Sequence, residues 1–503
     1  MADPYYITTA ISYPNGAPHI GHAYEAVAAD AMARFRRAQG RDVFFMTGTD
    51  EHGLKMAQAA RDKGMEPAEL AAEMSSMFKV MCDNLQVSYD RFIRTTDPDH
   101  KAAVQHMWKK MEERGDLYLG RYEGWYSVRD EAYYDEDELT EGEGGQKLSP
   151  QGTPVEWTVE ESWFFKLSAY GDRLLAHIEA NPDFIQPESR RNEVVRFLEG
   201  GLKDLSVSRT SFDWGVPVPG SNNHVMYVWL DALTNYVTGV GYPDGGENWD
   251  RYWPCDVHLV GKDIVRFHAV YWPAFLMSAG VELPRQIYGH GHLLAPGGVK
   301  MSKSLGNVVD PQLMLDRYGV EAFRYYLLRE VKMSSDGSVS EEGLVTRVNA
   351  ELANSFGNLV QRSLSMVHKN LDGILPAAGS ADQDKALLEA VRKACEEELP
   401  NAFETFGFTA GIEAWLGAVY ACNAYIDAEA PWTLKKTDPD RMADVLGTLV
   451  ATIAPLTKAV APIVPGASER ILALLATGEG GNPIDKPTPA FPRLELASEE
   501  SAA

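Results

Sequence analysis

At 503 residues the chain is too long for one ordinary core, so two or three domains are expected. An apolar fraction of 45% with 24% charged residues is that of a folded, water-soluble protein. The net charge of −25 argues mildly against a nonspecific nucleic-acid binder, although a local basic groove still works on an acidic chain because charges beyond about 10 Å are screened.

The opening MADPYYITTAISYPNGAP lacks a basic start followed by an apolar run, and does not read as a signal peptide. No uninterrupted apolar stretch is long enough to span a bilayer. Cys82, Cys255, Cys395 and Cys422 are scattered, without a ligand-like pair, and read as thiols of a reducing compartment. A cytoplasmic protein is expected.

In chain order, residues 4–11 are β-branched and aromatic and predict a buried strand. After a turn-rich stretch, the spacing predicts a helix from about Ala23 to Gln39, with Val27, Ala28, Ala31, Met32 and Phe35 on one face and Gly40 as its stop. Val43–Met46 is a second strand, followed by the turn Thr47–Gly53. Strand, helix, strand in this order is a βαβ unit and implies a parallel sheet with helices on its faces. Residues 117–224 differ in kind: they are rich in Trp, Tyr, Gly, Pro and acids, and the run Asp135–Glu138 reads as a solvated loop. Strand patterns return at Val225–Leu230, Asp256–Val260 and Gln286–Tyr288. The economical arrangement is an α/β Rossmann-like sheet split by an inserted domain. From about Val345, Ala/Leu-rich segments with helical spacing predict an α-helical bundle, broken near 372–383, 429–440 and 475–490. The final ASEESAA is polar and expected to fray.

Two motifs carry chemistry. Pro18-His19-Ile20-Gly21-His22 sits where a strand hands over to a helix, whose N-terminus presents unpaired N–H groups suited to phosphate. Gly21 permits close approach to the backbone, and the two imidazoles fall on one helical face. Alone, the motif also reads as a turn with two exposed histidines. Lys300-Met301-Ser302-Lys303-Ser304 follows Gly297-Gly298-Val299, and two lysines on a Gly-hinged loop suit the neutralisation of a leaving pyrophosphate. Alone, it reads equally as a solvated loop.

Together, HIGH and KMSKS resemble the class I aminoacyl-tRNA synthetases. The flanking segments ITTAISYPNGAPHIGHAYE (7–25), GTDEHG (48–53), YVWLDALTNY (227–236), GKDIVRFH (261–268), KMSKSLGN (300–307), RVNAELANSFGNLVQR (347–362) and APWTLKK (430–436) resemble the methionyl-tRNA synthetase family over nearly the whole chain. The resemblance implies a catalytic domain in two halves, 1–116 and 225–295, a connective insertion at 117–224, and a KMSKS loop and stem-contact region at 296–345. It further implies a helical anticodon-binding domain at 346–480 and a tail at 481–503. It implies that His19, Gly21, His22, Gly261, Lys300 and Lys303 bind ATP, and that His19, His22, Lys300 and Lys303 are catalytic. Asp50 would take the α-amino group of methionine. Ala10, Ile11, Tyr13, Trp229, Ala232, Tyr236 and His268 would line its side-chain pocket. Asn358, Arg362 and Trp432 would read the anticodon. Trp229 also fits a plain buried strand, and Trp432 a cap on the bundle core.

The implied reaction is activation of methionine by ATP with Mg²⁺, then esterification of tRNA(Met), elongator and initiator alike. Some activation of homocysteine is expected, since a missing methyl is discriminated by about 1–3 kcal/mol. Many members hold structural zinc on cysteines in the insertion; with no cysteine between Cys82 and Cys255, none is expected here. The insertion would rest on Trp125, Tyr126, Tyr133, Tyr134, Trp157 and Trp163. The chain stops soon after the bundle, and a monomer is expected. The competing readings are another class I synthetase, whose editing insertion is usually far larger, an HxGH nucleotidyltransferase, and a noncatalytic tRNA-binding relative.

Overall fold

Six parallel strands form the central sheet: β1 (Pro4–Thr9), β2 (Asp42–Thr49), β3 (Arg91–Arg94), β4 (Ile185–Gln186), β5 (Val257–Gly261) and β6 (Ile287–His290). The computed structural model describes residues 2–129, 132–301 and 307–496. The strand order is β3-β2-β1-β5-β6-β4, every neighbouring pair being parallel. From the β1–β5 pair the chain steps outward to β2 and β3 on one side and to β6 on the other, with the earlier β4 added beyond β6, so the carboxyl ends of β1 and β5 flank a topological switch point, where open α/β sheets place ligands. Residues 43–49 of β2 are all buried, which explains why the strand reads as a continuous apolar run instead of an alternation.

By contacts the chain divides into two units, Met1–Pro18 with Gln39–Asp83 and Ser88–His290, and His19–Ala38 with Asn84–Val87 and Gly291–Ala503. The helices used below are α1 (Ile20–Ala38), α2 (Pro98–Glu113), α3 (Val228–Thr238), α4 (Val320–Glu330), α5 (Asn358–Asn370), α6 (Phe408–Glu429) and α7 (Pro439–Val460).

In the first unit, the segment between β3 and β5 builds a four-stranded antiparallel sheet on the long hairpin partners Leu117–Ser127 and Glu156–Phe165. Trp125 and Trp157 meet edge to face with ring centroids 5.4 Å apart, and Trp163 meets Trp108 of α2 at 5.8 Å. The same segment returns to the central sheet at β4, whose two residues pair with β6. Asp135–Glu138 lies exposed, as a solvated run should.

The strand expected at Val225–Leu230 is corrected. Only Val225–Met226 is extended, pairing antiparallel with Ser208–Arg209 outside the central sheet, and α3 starts at Val228. Residues 230–238 of α3 are all buried, and Val228–Leu230 continue the apolar run of Val225–Tyr227 without a break; the helical period shows only from Asp231, where Asp231, Thr234, Asn235 and Thr238 fall on one face.

In the second unit, helices dominate from Pro311 onward. Trp415 of α6 is fully buried, donates from Nε1 to the Leu456 carbonyl of α7 at 2.9 Å, and takes Phe356 edge-on at 5.0 Å. Among the described residues, α7 alone has the length and composition to cross a bilayer, although charges at its ends break the run of apolar residues. Its buried stripe, Val445, Leu449, Ile453, Leu456 and Val460, instead makes it a core helix of the bundle.

Candidate active site

The first unit gathers one group of expected site residues at the carboxyl ends of β1, β2 and β5. The ladder between β1 and β2 continues past the strands: the Ser12 N–H donates to the Gly48 carbonyl at 3.0 Å and the Asp50 N–H to the Ser12 carbonyl at 2.9 Å. This continuation sets Ala10, Ile11 and Tyr13 alongside Asp50, which is buried. The Tyr13 hydroxyl accepts from the Met56 N–H at 3.1 Å. Gly261 closes β5, level with His290 of β6.

From the other side α3 presents Trp229, Ala232 and Tyr236, and the wide-turned helical segment Phe267–Tyr271 presents His268. Trp229 stacks on Phe267 with centroids 3.9 Å apart and planes 9° from parallel. His268 donates from Nδ1 to the Ile264 carbonyl at 2.8 Å, which leaves Nε2 to accept from the Tyr236 hydroxyl at 2.7 Å. The Tyr236 carbonyl in turn accepts from the buried Tyr6 hydroxyl at 2.9 Å, and its ring lies 4.0 Å from that of His258. Tyr6, His258 and Phe267 escaped the sequence reading. Each looks like an ordinary core aromatic, and only its fold neighbours give it a place beside the site.

Burial pushes His268 down to about 4 and holds its ring neutral at physiological pH. His258, equally buried, is also pushed well below its ordinary value. Between pH 6.5 and about 4 the unfolded chain takes up a proton on His268 that the folded chain refuses, so stability falls as pH falls through that window. For His268 alone the loss is about 3 kcal/mol. The melting temperature is expected to drop steadily from pH 6.5 to pH 4, and His268→Gln to flatten the slope. An unaltered slope in the variant would assign the drop to other groups.

The residues following Asp50 are anchored more firmly than a loop requires. Glu51, fully buried, accepts from Arg94 at both oxygens (2.7 and 2.9 Å) and from Thr49 and Thr96. His52 bonds through Nδ1 to Asp231 of α3 at 2.6 Å. Neither partner was expected from sequence. DEHG was legible as a motif, but its partners lie 43 and 179 residues further on.

The second unit holds the histidine motif and Lys300. Here α1 starts at Ile20, so Gly21 and His22 lie in its first turn. The Gly21 N–H donates to His19 Nδ1 and the His19 N–H to His22 Nδ1, both at 3.1 Å. With each Nδ1 accepting, the ring proton resides on Nε2. The rings stack with centroids 3.7 Å apart. A Cβ on residue 21 would lie 3.0 Å from Cε1 and Nδ1 of His19, so glycine also makes room for the stack. The Ile20 N–H donates to the Val309 carbonyl at 3.1 Å, which ties the start of α1 to the chain just beyond the lysine motif. Lys300 is exposed, on a short strand pairing with Leu293–Ala295 after a turn in which Gly297 and Gly298 take φ of 79° and 77°. Lys303 lies outside the described residues.

Further along the second unit, Asn358 and Arg362 lie one turn apart on α5, and the Arg362 guanidinium stands 5.5 Å from the centre of the Trp432 ring. Arg362 also bonds Asp427 at 3.0 Å. Trp432 is 46% exposed, so the alternative of a cap buried on the bundle core does not hold.

The family described as tRNA synthetases class I (M) matches residues 5–364, and the anticodon binding domain of methionyl tRNA ligase matches residues 375–493. The methionine–tRNA ligase of Rhizobium meliloti (strain 1021) is 52% identical over 512 aligned positions, covering 97% of this chain and 98% of the relative. A structure of Mycobacterium tuberculosis methionyl-tRNA synthetase in complex with methionyl-adenylate superposes with a TM-score of 0.94 at 51% identity, covering 98% of this chain and all of that one. The free form of that enzyme gives a TM-score of 0.88 at 47% identity. With two family matches and half-identical relatives over nearly its full length, the chain belongs to the methionyl-tRNA synthetases of class I.

Proposed function

We infer that the chain works as a methionine–tRNA ligase through the residues described above. The observation that carries the reading is the convergence of Ala10, Ile11, Tyr13 and Asp50 at the switch point of the sheet, against the Trp229–Tyr236–His268 wall. In the first step a carboxylate oxygen of methionine attacks the α-phosphorus of ATP. Pyrophosphate leaves and methionyl-adenylate forms. In the second, the 2′-hydroxyl of the terminal adenosine of tRNA attacks the activated carbonyl and AMP leaves.

Asp50 receives the α-ammonium. The neutral His268 keeps the Tyr236 hydroxyl engaged, so the methionine sulfur meets aromatic faces and edges instead of a competing donor. His19 and His22 donate from Nε2 to phosphoryl oxygens, and Lys300 with Lys303 neutralises the β- and γ-phosphates. No protein nucleophile is required: alignment and fixed donors suffice. Gly261 leaves the end of β5 without a side chain where the nucleotide approaches. Among the described residues no three His, Cys, Asp or Glu side chains group to hold an ion, and Mg²⁺ enters as the counter-ion of ATP. The four buried free thiols suit a reducing cytoplasm. The chain acts as a monomer on elongator and initiator tRNA, with 117–224 as the connective insertion and 346–480 as the anticodon reader.

The test is amino-acid-dependent exchange of pyrophosphate into ATP, run without tRNA against all twenty amino acids. Exchange with methionine alone is expected. Exchange with another amino acid would reassign the pocket, and no exchange from folded protein would remove the activation step. For the anticodon reader, Trp432→Ala is expected to raise the KM for tRNA about tenfold or more, since stacking on one base is worth about 1–3 kcal/mol, while leaving exchange unchanged. Charging at the wild-type KM would remove Trp432 from the interface.

A further inference from the structure

Asp231 is a buried carboxylate the chemistry above does not use, yet both of its oxygens are engaged. It lies in the first turn of α3, 1% exposed, between Trp229 and Ala232 of the pocket wall. One oxygen meets His52 Nδ1 at 2.6 Å and the other His100 Nε2 of α2 at 2.8 Å. Both histidines are buried, and Thr238, at the far end of α3, lies 3.2 Å from the other ring nitrogen of His100. Burial pushes the Asp231 carboxyl up, but the two imidazoles outweigh it and hold the group at about 2, so it stays ionised. The other side of the segment is fixed as well: Glu51 by Arg94, and the Glu51 carbonyl by Trp214 Nε1 at 2.7 Å. Asp50 thus immediately precedes two residues whose side chains are pinned in opposite directions, one to the edge of the sheet and one to the pocket helix.

We propose that the His52–Asp231–His100 bridge is a positioning device that fixes the distance between Asp50 and the α3 wall, and so matches the span from the ammonium of methionine to its side chain. A buried ionic link adds little net stability over an apolar replacement, but it is directional, and it holds a separation that apolar packing would leave adjustable. The inference rests on the reading of Asp50 as the ammonium partner. Neither His52 nor Asp231 touches the amino acid; both act through Asp50 and α3.

The experiment uses the full chain and two competitive inhibitors of methionine-dependent exchange. Methioninol keeps the ammonium and side chain. 4-(Methylthio)butanoate keeps the side chain and carboxylate but lacks the ammonium. In Asp231→Asn, methioninol is expected to weaken about tenfold or more, because a small misplacement of a binding group is costly, while 4-(methylthio)butanoate and the KM for ATP stay within about twofold. His52→Gln tests the same link from the other side and is expected to behave alike, which keeps the test open should Asp231→Asn fail to fold. Equal weakening of both inhibitors would mark Asp231 as merely structural, and no weakening of either would overturn the proposal outright. Asp50→Asn separates the two layers. If it leaves methioninol binding intact, the reading of Asp50 has failed. If it abolishes the preference for methioninol while Asp231→Asn and His52→Gln retain it, the positioning role alone has failed.

Discussion

Replacing His22 by alanine is expected to lower the maximal rate of methionine-dependent exchange about 10²–10³-fold, the usual cost of deleting one fixed donor to developing transition-state charge. The stack determines why the loss falls on rate. Each Nδ1 accepts from a backbone N–H at or just before the start of α1, so each neutral ring carries its proton on Nε2. A donor fixed in advance gains most where charge appears, on the phosphoryl oxygens as pyrophosphate departs. His22 also acts as a cap by accepting from the His19 N–H, and losing a cap costs about 1 kcal/mol of stability. The two effects differ enough to be told apart. The variant is expected to melt within a few degrees of wild type, with its KM for methionine little changed and its rate nearly abolished. A variant that instead kept its rate and only needed more ATP would show that His22 contributes ground-state binding and nothing to the transition state.

How much of this was legible in the sequence depended on the distance over which each feature is determined. β1, α1 and β2 could be read because a parallel strand buried on both faces is a continuous apolar run, and an amphipathic helix ending at a glycine is periodic. The start of α3 could not: Val228–Leu230 continue the apolar run of Val225–Tyr227 and read as strand, and the helical period shows only from Asp231. β4, two residues long, carried no signal of its own. The site behaved in the same way. Residue types and motifs pointed to phosphate and methionine, but the contacts that orient them join Tyr236 to His268 across 32 residues and Asp231 to His52 across 179. Trp432 had two readings from sequence, and its exposure removes the one that buried it as a cap on the bundle core. Arg324 had none. In VEAFRYYLLRE it looks like one more basic residue on a helix surface.

Arg324→Met is nevertheless expected to destabilise the second unit by about 3–5 kcal/mol, a large part of the roughly 5–15 kcal/mol that holds a domain folded. The guanidinium is fully buried and each of its three nitrogens is bonded. Nε meets the Ile463 carbonyl at 2.9 Å, Nη1 the Leu85 carbonyl at 3.0 Å, and Nη2 the Pro462 carbonyl at 2.9 Å and Asp30 of α1 at 2.7 Å. Methionine matches much of the volume, so little of the cost is a cavity. The cost lies in three carbonyls and a fully buried carboxylate that lose this donor, although Arg34 still bonds Asp30 at 2.8 Å. Asp30→Leu should be costly for the mirror reason. The double variant should cost less than the sum of the two, because neither charge is then stranded. Urea unfolding of the four proteins measures this directly, and strictly additive losses would mean that the pair is not coupled. Asp30 and His22 share α1, so the same link that stabilises the unit also holds the helix whose start carries His19 and His22. Exchange activity of Arg324→Met is therefore expected to fall at temperatures below its melting transition, where a variant damaged only in global stability would keep wild-type rates.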